Sequence, residues 1–186
     1  STEKTENLRA ALDLIKEARS RGAELIAFPE FLMAFSPASQ SAEELSQIAE
    51  TTEGEFVSAL RDAAKAIGIA VLATIYEPAP VANRVYDSAV WIDALGNIAS
   101  VYRKLHLYDA FGFKESDKFY LGTVVAPPVP LGQCQFGVMI CYDLRFPEMA
   151  RMLALEGANV LAAPSGWVQG DLKVEHWQTM IKARAL

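Results

Sequence analysis

Three apolar stretches of the sequence, each with the composition of a buried β-strand, end next to a residue that can take part in catalysis. A carboxylate (Glu30), an ammonium (Lys104) and a thiol (Cys141) follow these stretches, in that order along the chain. In open α/β sheets, ligands bind at the edge where the strands end. The sequence therefore predicts a fold whose strand ends bring these three side chains to one edge.

Hydrophobic periodicity divides the chain into alternating helices and strands. Apolar residues at helical spacing predict helices, and near-continuous apolar runs predict strands with both faces covered. The predicted helices cover residues 5–20, 42–50, 54–67, 146–156 and 174–186. The predicted strands cover residues 24–28, 69–76, 85–93, 98–102, 134–141 and 159–163. This alternation is typical of the α/β class.

The domain organisation follows from the segments that lack a period. Residues 105–133 combine aromatic residues, Gly and Pro without periodicity, which predicts a long functional loop or lid. Because no linker or internal repeat divides the chain, we expect residues 1–186 to form a single domain. The first helix has no strand before it and the last has no stop signal, so we expect this domain to be incomplete at both ends.

Composition limits the partners and the compartment. The 186 residues carry a formal net charge of −6 and are 52 % hydrophobic. A negative chain is a poor match for nucleic acid and for anionic membranes, and no apolar run reaches the roughly 18 residues of a membrane span. Cys134 and Cys141 lie too far apart along one predicted strand to form a disulfide. We therefore expect a reducing, cytoplasmic setting.

The three strand-end residues are those that thiol-based hydrolysis of a carbonyl or nitrile group needs. Cys141 lies at a strand-to-helix junction, where free backbone N–H groups and the helix dipole favour the thiolate. Lys104 and the backbone N–H of Tyr142 can stabilise the negative oxygen of a tetrahedral state, while Glu30 moves the protons. Glu115, in the long loop, is a fourth candidate that could orient Lys104 or bind the substrate amide.

Other residues near these positions have two interpretations each. Trp167 follows another strand end and is predicted to form a wall of the substrate pocket, with core packing as the alternative. Arg145 and Glu148 are predicted to form an ion pair that fixes the start of the following helix, and substrate contact is the alternative for them. Asp143 is predicted to cap that helix. Cys134 is expected in the core.

The residues around the three strand ends form separated motifs in a fixed order. They are Phe28-Pro29-Glu30, then Tyr102-Arg103-Lys104-Leu105-His106-Leu107, then Gly137-Val138-Met139-Ile140-Cys141-Tyr142-Asp143-Leu144-Arg145-Phe146-Pro147-Glu148. Together they resemble the nitrilase superfamily of carbon–nitrogen hydrolases. The segments 83–89 and 163–167 are also similar to family segments, so the resemblance extends over nearly the whole chain.

The resemblance implies an αββα sandwich that works without metal or organic cofactor and assembles into homodimers or larger homo-oligomers. It implies that Glu30 is the base, Lys104 the oxyanion donor and Cys141 the nucleophile. By the same match, Glu115 is the family's additional active-site glutamate. The sequence around Cys141 looks closer to the amidase branches than to true nitrilases, and omega-amidases are the first choice among them.

The predicted function is hydrolysis of a small amide through a thioester on Cys141. Hydrolysis of an N-carbamoyl group and hydrolysis of a nitrile are the enzymatic alternatives. A catalytically silent assembly or binding protein and a thiol redox sensor are the alternatives from other classes. His106 and His176 stand outside any cluster with ligand spacing, so no metal site is predicted.

Overall fold

The computed structural model of the chain describes residues 1–185. The helices are α1 (Lys4–Ser20), α2 (Ala42–Ile48), α3 (Glu55–Ile67), α4 (Pro147–Leu155) and α5 (Lys173–Ala185). The strands are β1 (Leu25–Ala27), β2 (Ala70–Pro78), β3 (Val85–Ile92), β4 (Ile98–Arg103), β5 (Val129–Leu131), β6 (Cys134–Val138) and β7 (Val160–Ala162). Two short 3₁₀ helices cover Glu115–Asp117 and Cys141–Arg145.

The strands form two mixed sheets. The first has the order β1-β2-β3-β4, with β1 parallel to β2 and the other neighbours antiparallel. The second has the order β5-β6-β7, with β6 and β7 parallel. Because β1 and β2 are parallel, their carboxyl ends lie at the same edge of the first sheet. The carboxyl ends of β6 and β7 lie together in the same way at one edge of the second sheet.

The two sheets face each other between outer layers of helices. Side chains alternate along β2 and β3, so that one face of the first sheet packs against α1 and α3. The other face carries Leu72, Ala89 and Trp91, which pack against the second sheet and against α4. The Trp91 and Phe136 rings, one from each sheet, lie 5.1 Å apart between centroids. This αββα sandwich confirms the predicted fold class.

A glycine allows the outer layer to approach the second sheet closely. A Cβ atom at Gly137 on β6 would lie 3.0 Å from the Cβ of Leu153 on α4. Leu153 is fully buried in the core between the sheet and the helix. We conclude that a side chain at residue 137 would push α4 away from the sheet that leads to Cys141.

Within residues 1–185 the predicted helices and strands are present within a few residues of their predicted ends, with two differences. The predicted end of the last helix, at residue 186, lies outside the described residues. The stretch 105–133, predicted as a loop, contains the 3₁₀ helix Glu115–Asp117 and the strand β5. The strand predicted over residues 134–141 ends at Val138. Within residues 1–185, no helix is both long enough and apolar enough to cross a membrane.

Candidate active site

Cys141 lies in the sharp turn that leads from β6 toward α4. It is the first residue of the 3₁₀ helix Cys141–Arg145, and its φ angle of 44° is in the left-handed region that few non-glycine residues adopt. Its backbone N–H donates to the Pro164 carbonyl, at 2.9 Å, which fixes the turn against the segment after β7. The turn directs the Cys141 side chain into a cavity of about 510 Å³.

Lys104 follows β4 and is the centre of a buried cluster of charges. Its side chain is 1 % exposed, and Nζ donates to Glu30 Oε1 at 2.8 Å and to the Glu115 oxygens at 2.9 and 3.0 Å. Asp87 Oδ2 on β3 lies 3.8 Å from the same nitrogen. Burial lowers the pKa of Lys104, but the three carboxyl groups outweigh burial and raise it well above its ordinary value. The ammonium is therefore charged throughout the neutral range.

Glu30 follows β1 and reaches Lys104, Cys141 and the segment after β7. Its Oε2 accepts a hydrogen bond from the Gly166 N–H at 2.7 Å, and its carboxylate lines the same cavity as the Cys141 thiol. A Cβ at residue 166 would lie 3.2 Å from Oε2 and 2.9 Å from the Phe31 ring, so glycine lets the backbone come this close. Burial raises the pKa of Glu30, but Lys104 and the hydrogen bonds hold it below its ordinary value.

The electrostatics of Cys141 correct one sequence-based prediction. The strand-to-helix junction predicts a stabilised thiolate, whereas burial, followed by the Glu30 carboxylate, raises the pKa of the Cys141 thiol well above its ordinary value. Lys104 acts in the opposite direction but does not outweigh these two causes. The junction is also a 3₁₀ turn of only five residues, which gives the thiol little helix dipole. The resting site therefore holds a thiol beside an ionised carboxylate.

Glu115 begins the 3₁₀ helix that the long loop forms above the cluster. Besides the two contacts from Lys104, it accepts a hydrogen bond from the Tyr108 N–H at 2.6 Å. Burial raises the pKa of Glu115 despite the neighbouring ammonium. The structure thus brings together the four residues predicted as catalytic, Glu30, Lys104, Glu115 and Cys141.

Asp143 has a structural position different from the predicted one. Instead of capping the helix, which begins at Pro147, its fully buried carboxylate accepts hydrogen bonds from the Tyr102 hydroxyl at 2.6 Å and the Ile140 N–H at 2.8 Å. It also accepts from the His106 N–H at 3.1 Å and lies 2.7 Å from His106 Nδ1. Asp143 therefore links the residues on both sides of Lys104 to the residue before Cys141.

The cavity wall includes both residues predicted to contact substrate, Tyr142 and Trp167. Sequence reasoning missed Phe31 and Lys173, which also line it. Phe31 directly follows Glu30 and has a φ angle of 63°, which the sequence pattern does not signal. Lys173 comes from the start of α5, and its Nζ donates to the Tyr108 hydroxyl at 3.0 Å.

Arg145 lines the same cavity, and the predicted ion pair with Glu148 is wrong. The guanidinium lies 5.5–5.7 Å from the ring centroids of Phe111, Tyr142 and Trp167, whereas Glu148 is exposed on α4. Arg145 Nε is buried and has no hydrogen-bond acceptor among residues 1–185. The two residues flank Phe146-Pro147 at the start of the predicted helix, but the 3₁₀ helix ends at Arg145, α4 begins at Pro147, and Arg145 lines the cavity instead.

Comparison with known proteins identifies the family. The sequence profile of the carbon–nitrogen hydrolase family matches residues 1–186. The chain belongs to the carbon–nitrogen hydrolase family. This confirms the resemblance that the three motifs indicate.

Relatives of this carbon–nitrogen hydrolase include enzymes named as amidases. The chain is 38 % identical over 180 residues to deaminated glutathione amidase from Escherichia coli O157:H7, which covers 97 % of the chain and 67 % of that protein. It is 34 % identical over 188 residues to the probable hydrolase nit2 from Schizosaccharomyces pombe, covering 97 % of the chain and 66 % of that protein. The carbon–nitrogen hydrolase chain thus spans about two thirds of the length of these relatives.

Solved structures share the fold of this carbon–nitrogen hydrolase. The C. elegans NitFhit protein matches with a TM-score of 0.89 at 27 % identity, over 100 % of the chain and 46 % of that protein. A variant of the amidase from Nesterenkonia sp. AN1, with acrylamide added to its active-site cysteine, matches with a TM-score of 0.79 at 26 % identity. That match covers 99 % of the chain and 69 % of the amidase.

Proposed function

We propose that this protein hydrolyses small amides through a thioester intermediate on Cys141. The observation that carries the proposal is that a thiol and a carboxylate line one sheltered cavity, and that a buried ammonium is bonded to this carboxylate at 2.8 Å. The three groups come from the ends of three strands far apart in the sequence, and Lys104 is almost completely buried there. Family membership and the names of the amidase relatives support the same chemistry.

In the first half of the reaction the Cys141 sulfur attacks the amide carbon. A sulfur–carbon bond forms while the thiol proton moves to Glu30, which is ionised and lines the same cavity. The carbonyl oxygen becomes negative, and Lys104 and the backbone N–H of Tyr142 can donate to it. When the carbon–nitrogen bond breaks, Glu30 returns the proton to the departing ammonia or amine.

In the second half water releases the acid from the thioester. Glu30 takes a proton from water as the oxygen attacks the thioester carbon, and the same donors stabilise the second negative oxygen. Breaking the sulfur–carbon bond gives a carboxylic acid and returns the proton to Cys141. The lowered pKa of Glu30 suits this cycle because the base is ionised at the start of each half.

A panel of simple amides, N-carbamoyl amino acids and nitriles tests this function. We expect ammonia release from the amides and, during turnover, an intact-protein mass increase equal to the acyl group, located on Cys141 by peptide mapping. Turnover of only N-carbamoyl compounds or only nitriles would replace amide hydrolysis by those reactions. Ammonia release without any acyl adduct on Cys141, under conditions where the acyl-enzyme accumulates, would contradict the thioester step.

The positive side chains of the cavity support an amide whose acyl part carries a carboxylate. The Arg145 Nε is buried without an acceptor among the described residues, and the guanidinium lies 5.7 and 5.5 Å from the ring centroids of Tyr142 and Trp167. An anion in the cavity could accept a hydrogen bond from this N–H. Lys173 lies nearby, with Nζ 4.5 Å from the Phe111 ring. One relative is named deaminated glutathione amidase.

Arg145→Gln is expected to raise KM for a carboxylate-bearing amide by about 10- to 100-fold, because a charge-assisted hydrogen bond is lost. The kcat/KM for a neutral amide of similar size should change less than about threefold. Steady-state ammonia release with both substrates measures this, and Arg151→Gln on the exposed face of α4 is the matched control. Equal losses on the neutral and the anionic amide would contradict a role of Arg145 in anion binding.

A further inference from the structure

Asp87 is a buried carboxyl group that the reaction described above does not use. It lies on β3, on the face that carries Ala89 and Trp91 toward the second sheet, and it is 1 % exposed. Its backbone carbonyl accepts from the Lys104 N–H at 2.9 Å, and its carboxyl and that of Glu30 both face Lys104 Nζ, at 3.8 and 2.8 Å. An acidic residue at an inward position of a buried strand needs a physical explanation.

The three carboxyl groups around Lys104 differ in the donors available to them. Glu30 accepts from Lys104 Nζ and from the Gly166 N–H, one on each oxygen. Glu115 accepts from Lys104 and from the Tyr108 N–H. Neither oxygen of Asp87 has an N–H or O–H donor in the part of the chain that the structure describes, since Lys104 Nζ is 3.8 Å away. The donors therefore stabilise negative charge on Glu30 and Glu115. Of the three carboxyl groups, Asp87 is the one whose protonation requires the least free energy.

Two neighbouring carboxyls can form a hydrogen bond only if one of them carries a proton. We propose that Asp87 is a positioning residue that stays protonated and donates a hydrogen bond to ionised Glu30, which keeps the base aimed at Cys141. This inference rests on the proposed function for the role of Glu30. The Asp87 proton remains in place through both halves of the reaction, while the transferred proton moves between sulfur, Glu30 and the leaving group.

The groups that surround Asp87 favour the protonated, neutral form of its carboxyl group. The titratable groups that face it from the neighbouring elements are Glu30, Lys104, Glu115, Tyr76 and Tyr102. Burial, followed by the Glu30 carboxylate, raises the pKa of Asp87 well above its ordinary value, and Lys104 does not reverse this direction. An ionised Asp87 would place a third negative charge around the single ammonium.

Two substitutions separate a neutral donor from an ionised acid. Asp87→Asn keeps a donor of the same shape, so we expect kcat/KM within about threefold of the unsubstituted protein. Asp87→Leu keeps the branched shape, with bulkier methyl groups, but removes the donor, and we expect kcat/KM to fall about 10- to 100-fold. In Asp87→Leu the acidic limb of the pH profile of kcat/KM should also move to higher pH, because ionised Glu30 loses a hydrogen bond.

An infrared difference spectrum gives a second readout that needs no substrate. At pH 7 the unsubstituted protein should show the carbonyl stretch of a neutral carboxylic acid that is absent from Asp87→Asn. A loss of activity in Asp87→Asn as large as in Asp87→Leu, an unmoved acidic limb in Asp87→Leu, or no difference band would each overturn the proposal. Absence of amide hydrolysis by the unsubstituted protein would instead contradict the proposed function, and the infrared result would still decide the protonation of Asp87.

Discussion

Cys141→Ala is expected to lower amide hydrolysis by about 10⁴-fold or more, because the variant cannot form the sulfur–carbon bond on which both halves of the reaction depend. The half-buried side chain lies in the cavity wall, so its removal should leave the fold intact. The measurement is ammonia release under single-turnover and steady-state conditions, with intact-mass detection of the acyl adduct. The adduct should disappear completely in this variant.

Cys134→Ala is the matched control for that substitution. Cys134 is the other free cysteine, also half-buried, and it lies at the start of β6, the strand that leads to Cys141. Its removal should leave both the rate and the acyl adduct unchanged. If Cys141→Ala kept most of the activity, or if both variants lost it equally, the thioester mechanism would have to be abandoned.

Lys104→Met is expected to have the second-largest effect, on both rate and stability. Loss of one donor to the negative oxygen should lower kcat about 10²- to 10³-fold with little change in KM. The substitution also leaves Glu30 and Glu115 buried without their ammonium, so the free energy of unfolding should fall by about 3–5 kcal/mol at pH 7. Denaturant unfolding followed by circular dichroism measures the second effect.

The loss of unfolding free energy in Lys104→Met should become larger as pH rises. In the unsubstituted protein Lys104 holds the pKa of Glu30 below its ordinary value, so this contribution to stability is present at neutral pH and is lost as pH falls. Without Lys104, burial should raise the pKa of Glu30 and Glu115 above their unfolded values. The folded variant then binds more protons than the unfolded chain, and its stability should decrease as pH rises from about 5 to 8.

Lys114→Met provides the control for loss of a lysine from an ion pair. Lys114 Nζ lies 3.0 Å from Asp117 Oδ1, and both side chains are more than 60 % exposed, 66 % and 62 %. Such a pair contributes about 0–1 kcal/mol, so this variant should keep its stability at every pH. A stability loss in Lys104→Met that did not depend on pH would indicate a packing defect rather than buried, uncompensated carboxylates.

Local patterns in the sequence predict most of the fold. The helical periodicity of residues 5–20 and 54–67 corresponds to α1 and α3, and the apolar runs correspond to β2 and β3. The strand β5 escaped prediction because it has only three residues, one of which is Pro130 at the sheet edge, where a missing N–H is tolerated. The 3₁₀ helix at Glu115 is equally short and has no periodicity to detect.

The sequence predicts which residues form the candidate site, because motifs mark them. It does not predict the protonation states and contacts that depend on burial in the folded protein. Glu30, Lys104 and Cys141 follow strand ends, and the geometry brings them together. The protonation of Cys141 and the position of Asp143 depend instead on which neighbours surround them after folding. Arg145 has the same limitation, because the sequence does not show that one helix ends at Arg145 and the next begins at Pro147.

Asp143 connects two parts of this site through hydrogen bonds to a single carboxylate. Its single carboxylate binds Tyr102 and His106, which flank Lys104, and Ile140, which precedes Cys141. The His106 ring also stacks on Phe146, at 3.6 Å between centroids. The segments that carry Lys104 and Cys141 are therefore tied to one buried carboxylate, so a substitution at residue 143 would disturb the ammonium and the sulfur together.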